Sequence, residues 1–307
     1  MKHLRPLMEA GKSLLAFDQS LEDREAPHTY NAGSWTGLKL IALKNYIKPY
    51  LEILGDRFSL AYIDLFAGPG LDRVGEGRVP LPGSPLIPLM IREAAKGRMF
   101  KHLFLCEINP KYERALRRRV FGHLPPGVGR TIYPGDANEF VKRLPRLLKA
   151  QGIGHSLVFL DPEGMQWRWE SMEYLLENVD CDVIVNFPST GIQRNSTTKN
   201  RATRRTIARY LGVPPKDLPT PIDVGWAIER YRQGLGKLGK DVSTEIRVAA
   251  NGAFHYHLIP AVRKTWGGSN WFKIFIGLRD RIGRLDGEIL SLIARQLEGG
   301  LGSLDEY

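Results

Sequence analysis

Residues 62–70 read Tyr-Ile-Asp-Leu-Phe-Ala-Gly-Pro-Gly, and their reading decides the fold. With Phe58-Ser59-Leu60-Ala61 ahead of them they form a short, nearly continuous apolar run. That is the pattern of a parallel strand buried on both faces. Asp64 near the end of such a strand is costly unless it meets hydrogen-bond donors or a cation. Gly68 and Gly70 let the backbone turn sharply and come close to a ligand. In an open parallel sheet, ligands lie beyond the carboxyl ends of the strands, where strand order reverses. The stretch therefore reads either as a strand-to-loop turn with a capping Asp, or as the floor of a ligand site.

Working outward, strands and helices alternate. A helix is expected over residues 34–54, where Leu40, Leu43, Ile47, Tyr50 and Leu54 recur at spacings of three and four; Thr36 is placed to cap it and Pro49 to kink it. Further helices are expected over 84–97, 110–122, 138–150 and 168–179, and strands over 101–107, 130–137, 155–161 and 181–188. A helix over 224–236 leads to two strand-like runs, 243–250 and 253–264, around Asn251-Gly252, a strong hairpin signal. The expected fold is α/β: a Rossmann-like parallel sheet closed by an antiparallel hairpin, with helices on both faces, the class I methyltransferase variant of the doubly wound sheet. Residues 1–34 are expected as an N-terminal extension and 35–307 as the methyltransferase-like domain, with a basic insertion near 190–216.

The residues at the strand ends point to a ligand. Beyond Asp64, the turn Ala67, Gly68, Gly70 is placed to approach it. The second strand ends in Glu107-Ile108, where a carboxylate suits a ribose diol. The third ends at Asp136-Ala137, suited to an adenine amino group. Acids at successive strand ends fit an adenosyl ligand with an amino-acid tail, S-adenosylmethionine, whose ammonium would face Asp64. A nicotinamide site would want G-x-G-x-x-G, but position 73 is Arg, and no P-loop is present. The loop over 71–83 separates the glycine turn from the next helix and is expected over the ligand mouth as a lid or substrate contact.

The fourth strand ends in Asp161-Pro162-Glu163. Methyl transfer depends chiefly on positioning, which supplies roughly 7–11 kcal/mol. An exocyclic base amine is a poor nucleophile. Asp161 and the Pro162 carbonyl, accepting its two N–H bonds, would direct its lone pair. The plainer reading of Asp161 is a turn acid. Trp167 and Trp169 come next; they are either stacking platforms for an extruded base or core anchors. Asn186 and Phe187, ending the fifth strand, either line the acceptor pocket, Phe187 as the better stacking ring, or only terminate the strand. Residues 191–216 hold Arg194, Lys199, Arg201, Arg204, Arg205, Arg209 and Lys216 and no acid. This is either a solvated face or a phosphate-contacting segment.

The 307-residue chain carries 44 Lys and Arg against 33 Asp and Glu, a net charge of +11, which favours an anionic partner. Its two cysteines, Cys106 and Cys181, lie in apolar runs and exclude a disulfide scaffold. His255 and His257 share a strand face, but no third ligand accompanies them, and no metal is expected. No apolar run reaches membrane-spanning length, so a cytoplasmic protein without a membrane partner is expected.

The motifs YIDLFAGPG, GSPL, CEINP, FLDPEG and DVIVNFP, with WTGLKL ahead of them, resemble the three-Cys-motif partner protein (TcmP) family over about residues 35–280. The resemblance implies a class I S-adenosylmethionine-dependent methyltransferase fold and a possible three-cysteine-motif partner protein. Asp-Pro-x-Gly is also similar to tRNA guanine-N2 dimethyltransferases, which carry Phe where Glu163 stands here. The function expected is methylation of an amino nitrogen of a base in nucleic acid, RNA such as tRNA or rRNA before DNA. The alternatives are a non-catalytic cofactor-binding partner protein and a small-molecule methyltransferase.

Overall fold

The computed structural model describes residue 14 and residues 27–33, 36–74, 79–91, 95–249, 255–264 and 273–282. The strands are β1 (Tyr30–Ala32), β2 (Leu60–Asp64), β3 (Leu71–Val74), β4 (Val79–Pro82), β5 (His102–Glu107), β6 (Gly129–Pro134), β7 (His155–Leu160), β8 (Cys181–Phe187), β9 (Val242–Ser243), β10 (Ile246–Ala249) and β11 (His255–Val262). The helices are α1 (Thr36–Leu54), α2 (Pro110–His123), α3 (Ala137–Phe140), α4 (Leu144–Ala150), α5 (Trp169–Asn178), α6 (Ser189–Arg194), α7 (Arg201–Leu211), α8 (Val224–Lys237) and α9 (Lys273–Ile282).

The main sheet runs β10-β11-β8-β7-β2-β5-β6, with β9 also paired to β11. β6, β5, β2, β7 and β8 are parallel; β11 is antiparallel to β8 and to β10. The chain moves outward from β2 through β5 to β6, then returns to β7 on the other side. The carboxyl end of β2 is thus the reversal point, and the glycine turn leaves from it. This is the expected α/β sheet with its antiparallel closing strands; Asn251-Gly252 lies outside the described residues.

Alternation along the strands sorts side chains to two cores. Leu60, Tyr62, Leu103, Leu105, Leu157, Phe159 and Ile184 face α1 and α2, packing with Leu40, Leu43, Ile47, Leu116 and Val120. Ala61, Ile63, Phe104, Val158, Leu160, Val183 and Val185 face α4, α5, α7 and α8, packing with Leu144, Met172, Ile207 and Tyr231.

Three expectations about elements need correction, and proline lies behind two of them. Over 84–97 the described chain forms a short 3-10 helix, Ile87–Met90, and turns. Pro88 lacks an N–H, and its ring would meet the carbonyl four residues back. That carbonyl, of Ser84, instead accepts from the Tyr62 hydroxyl at 3.2 Å. The helix over 138–150 is divided by a 3-10 turn, Val141–Arg143, just ahead of Pro145. Thr36 is the first residue of α1 rather than its cap, and its N–H reaches the Gly33 carbonyl at 3.0 Å. The long loop after Gly70 is an antiparallel ribbon, β3 against β4, and β1 pairs in parallel with β3. A strand of the N-terminal segment and the insertion therefore make one small sheet.

Candidate active site

The glycine turn is held from several directions. Gly68 and Gly70 have φ of 62° and 80°, the left-handed region that glycine enters freely. The Gly68 N–H donates to Glu107 Oε2 at 2.9 Å, and the Gly83 N–H to the Gly70 carbonyl at 2.9 Å. Gly83 must be small: a Cβ there would stand 3.1 Å from the Gly70 carbonyl carbon. Arg119 of α2, buried, donates to the carbonyls of Pro69 at 2.7 Å and His28 at 2.8 Å, tying the N-terminal segment to the turn. A Cβ on Gly68 would meet nothing within 4 Å, so the turn is open on that side.

Asp64 is fully buried. It accepts from the Phe66 N–H at 3.2 Å and the Tyr62 hydroxyl at 3.4 Å, with Ser84 as a further donor. Burial still dominates and pushes its carboxyl up to about 7. Glu107 accepts the Gly68 and Asn109 N–H groups; burial raises its pKa and these bonds pull it back. Ile108 beside it is 69% exposed, a large apolar side chain facing solvent at the strand end. Asp136 caps α3, accepting from the Asn138 N–H at 2.7 Å and its side-chain amide at 2.9 Å, and Ala137 is buried.

Asn138 is a residue that sequence reasoning missed. Its buried amide donates to Asp136 and to the Gln166 carbonyl, while its oxygen accepts from the Arg168 N–H at 3.0 Å and the Ser171 hydroxyl at 2.8 Å. It joins the loop after β6 to the loop after β7. Asn138→Leu is expected to lower stability by about 1–3 kcal/mol for each donor or acceptor left buried and unpaired. Urea titration of the full chain measures this.

The end of β7 is more crowded. Asp161 continues the alternation of Leu157 and Phe159, and Asn186 that of Ile184, so both stand on the α1 side of the sheet. Asn186 donates its amide to Asp161 Oδ1 at 2.5 Å, and its own oxygen is buried without a partner. Lys39 of α1 donates to Asp161 Oδ2. Burial, the largest influence, pulls the Lys39 ammonium down, but Asp161, Asp72 and Asp64 together outweigh it and its pKa stands above the ordinary lysine value. Asp72 of β3 is pushed up to about 7 by burial, with Lys39 pulling it back and Asp161 adding to the rise. The Tyr30 hydroxyl, from β1, engages the Glu163 carboxylate; burial first, then the charges of Glu163 and Asp161, raises its pKa. Pro162 is buried and Glu163 exposed.

Two expected acceptor residues are core residues instead. Trp167 is 1% exposed and packs edge-on against Phe66, with ring centroids 6.2 Å apart. Phe187 is fully buried against Tyr210 and Tyr231 at 5.6 Å and 5.4 Å. Alternation is the reason: one residue beyond Asn186, Phe187 points to the opposite face. Trp169 is also a core anchor, over Gly212 and Gly234.

The basic segment folds as α6, a turn, and α7, which Asn200 caps and left-handed Gly212 ends. Ile207, Ala208, Tyr210 and Leu211 bury one face of α7. Arg194, Lys199, Arg201, Arg205 and Lys216 are exposed. Arg204 differs: its guanidinium donates to the Leu218 carbonyl at 2.7 Å and the Thr220 hydroxyl at 2.9 Å, so it braces the loop after α7. Arg209 lies 3.7 Å from Glu170. His257 meets the Ser189 hydroxyl at 2.5 Å, and burial, then His255 and Arg247, lowers its pKa to about 4. Both cysteines are buried and free. Among the described residues, no group of three His, Cys, Asp or Glu could hold a metal, and no helix is long and apolar enough to cross a membrane.

No protein-family model matches the chain, and no curated protein matches it. Structures with a related chain path include Trm1 from Pyrococcus horikoshii in complex with S-adenosyl-L-methionine, 13% identical at a TM-score of 0.42, where 73% of this chain covers 55% of that one. The O-methyltransferase from Bacillus cereus with SAH is 10% identical at 0.43, with 82% of this chain covering all of it. Magnesium protoporphyrin IX methyltransferase from Synechocystis PCC 6803 with bound SAM is 10% identical at 0.36, with 73% of this chain and 81% of that one covered.

Proposed function

We propose that the chain is an S-adenosylmethionine-dependent methyltransferase acting on an amino nitrogen of a base in nucleic acid, RNA before DNA. One observation carries the reading. Around the reversal point, Asp64, the open glycine turn, Glu107, Ile108 and Asp136 stand at successive strand ends, and Asp161 with Asn186 stands on the neighbouring ends. The donor set suits the cofactor: Asp64 for the ammonium, Glu107 for the ribose diol, Ile108 as an apolar face against the adenine, and Asp136 with Ala137 for its amino edge. Glu107 accepts from the Gly68, Asn109 and Ile108 N–H groups and still has acceptor capacity left. Bound there, the cofactor supplies an electrophilic methyl group. Asp161 and the Pro162 carbonyl accept the two N–H bonds of the acceptor amine and orient it.

The Asp64 role has a calorimetric signature. A carboxyl at about 7 is mostly protonated at pH 6, and a ligand ammonium favours its charged form. Cofactor binding at pH 6 is therefore expected to release a proton, measurable by titration in buffers of differing ionisation enthalpy. The release fades by pH 8, where the group is already ionised, and is absent in Asp64→Asn.

The nucleic-acid reading rests on the exposed cations of the α6–α7 segment. Arg201→Ala with Arg205→Ala is expected to flatten the salt dependence of RNA binding, by roughly 0.7 per lost contact on single strands and roughly 0.9 on duplex DNA. Arg204 is left intact because it braces the loop. An unchanged slope assigns these residues to a solvated face. Because Lys39 and Asn186 already occupy both Asp161 oxygens, a non-catalytic cofactor-binding partner protein is the second reading. Transfer of a labelled methyl group from the cofactor to total RNA and DNA decides: cofactor binding without transfer favours the second.

A further inference from the structure

Lys39 is the fourth residue of α1, and its side chain is 13% exposed. Its neighbours on the same helix face, Leu43 and Ile47, are core residues. A lysine on such a face is expensive, because its ammonium leaves water, and it persists only where charge and hydrogen bonds compensate it. Here Asp161 compensates it directly, and Asp72 and Asp64 act on the same ammonium. Tyr256 of β11, buried, is also under the Asp161 charge.

Leu40, Ile41, Leu43, Ile47 and Leu51 already bury α1 against the sheet. Lys39 adds direction instead. One Asp161 oxygen is taken from α1 by Lys39, the other from β8 by Asn186. A carboxylate gripped on both oxygens by separate elements has its plane fixed. Each oxygen keeps acceptor capacity beyond that one bond. Without the ammonium, Asp161 would be left with Asp64 and Asp72 nearby, a set of like charges that drives carboxylates apart or protonates them.

We propose that Lys39 is a positioning residue for the acceptor, fixing the orientation of Asp161 from a helix that precedes the first strand of the main sheet. The proposal rests on the methyltransferase reading. A merely structural lysine would affect stability and leave the chemistry of the folded protein alone.

The test uses the full chain with Lys39→Met, which keeps length and loses charge, and Lys39→Arg, which keeps charge. Cofactor affinity by calorimetry, melting temperature, and kcat and apparent KM for transfer of a labelled methyl group to total RNA are measured for each. Lys39→Met is expected to keep cofactor affinity within about threefold and lose about 100-fold in kcat, the scale of an ångström's misplacement of a positioned group, with KM little changed. Lys39→Arg is expected to recover at least about tenfold of that loss. Where Lys39→Met does not fold, Lys39→Gln replaces it with the same expectation. A folded neutral variant with unchanged kcat overturns the proposal, as does an arginine variant no better than the neutral one. A wild type that transfers no methyl group overturns the methyltransferase reading and this proposal together, and an active wild type with an equally active Lys39→Met overturns this proposal alone.

Discussion

Asp161→Asn is expected to lower methyl-transfer turnover by about 100-fold or more while leaving most of the cofactor affinity in place. The magnitude is that of losing one preorganised electrostatic group. Asp161 is set on the fourth strand end, beside the strand that carries the glycine turn, and away from the Glu107 and Asp136 ends. An amide there presents either a donor or a weaker acceptor to an incoming N–H. It also removes the carboxylate that Lys39 contacts, so the melting temperature must accompany the rate. Glu163→Ala serves as the control. Glu163 is exposed and engages Tyr30, so its loss is expected to be milder. If Glu163→Ala abolishes turnover and Asp161→Asn does not, Glu163 is the acceptor-binding acid. Full activity in both makes the Asp-Pro turn structural.

Trp169→Ala is expected to cost about 3–5 kcal/mol of stability, the range for emptying a large aromatic site in a core. The ring meets Tyr231 edge-on at 5.1 Å, and its Nε1 donates to Glu173 at 2.9 Å. It lies so close to Gly212 and Gly234 that a Cβ on either would stand 2.4 Å and 2.5 Å from ring carbons. α5, α7 and α8 therefore converge on one indole. Urea unfolding monitored by fluorescence measures the loss; a change below about 1 kcal/mol would mean that neighbouring side chains refill the space.

Much of the sheet was legible because buried parallel strands are continuous apolar runs, and β2, β5, β7 and β8 all have that form. The small sheet was not. β1, β3 and β4 have only 3, 4 and 4 residues, too few to display a period, and β4 contains two prolines. The candidate residues at strand ends were readable from type and place. Which face each one serves is a matter of parity that residue type alone does not answer: counting by twos from Tyr62, Leu157 and Ile184 separates Asp64, Asp161 and Asn186 from Phe187. Lys39 had a signal too: it stands four and eight residues before Leu43 and Ile47, on the face that α1 buries. Asn138 had none, because a polar residue just after a helix cap is ordinary in sequence, and its partners Gln166, Arg168 and Ser171 come from a loop and a helix that lie beyond another strand.

The order of strands also sets a schedule. The β2, β5 and β6 ends, with the glycine turn, are complete once residue 137 has been made, whereas Asp161, Asn186 and Tyr256 come from chain made later. Lys39 must wait 122 positions for its carboxylate. Until β7 and β8 join the sheet, Lys39 has only Asp72 and Asp64 to act on its charge, and their arrival brings both the carboxylate it contacts and the amide that takes that carboxylate's other oxygen.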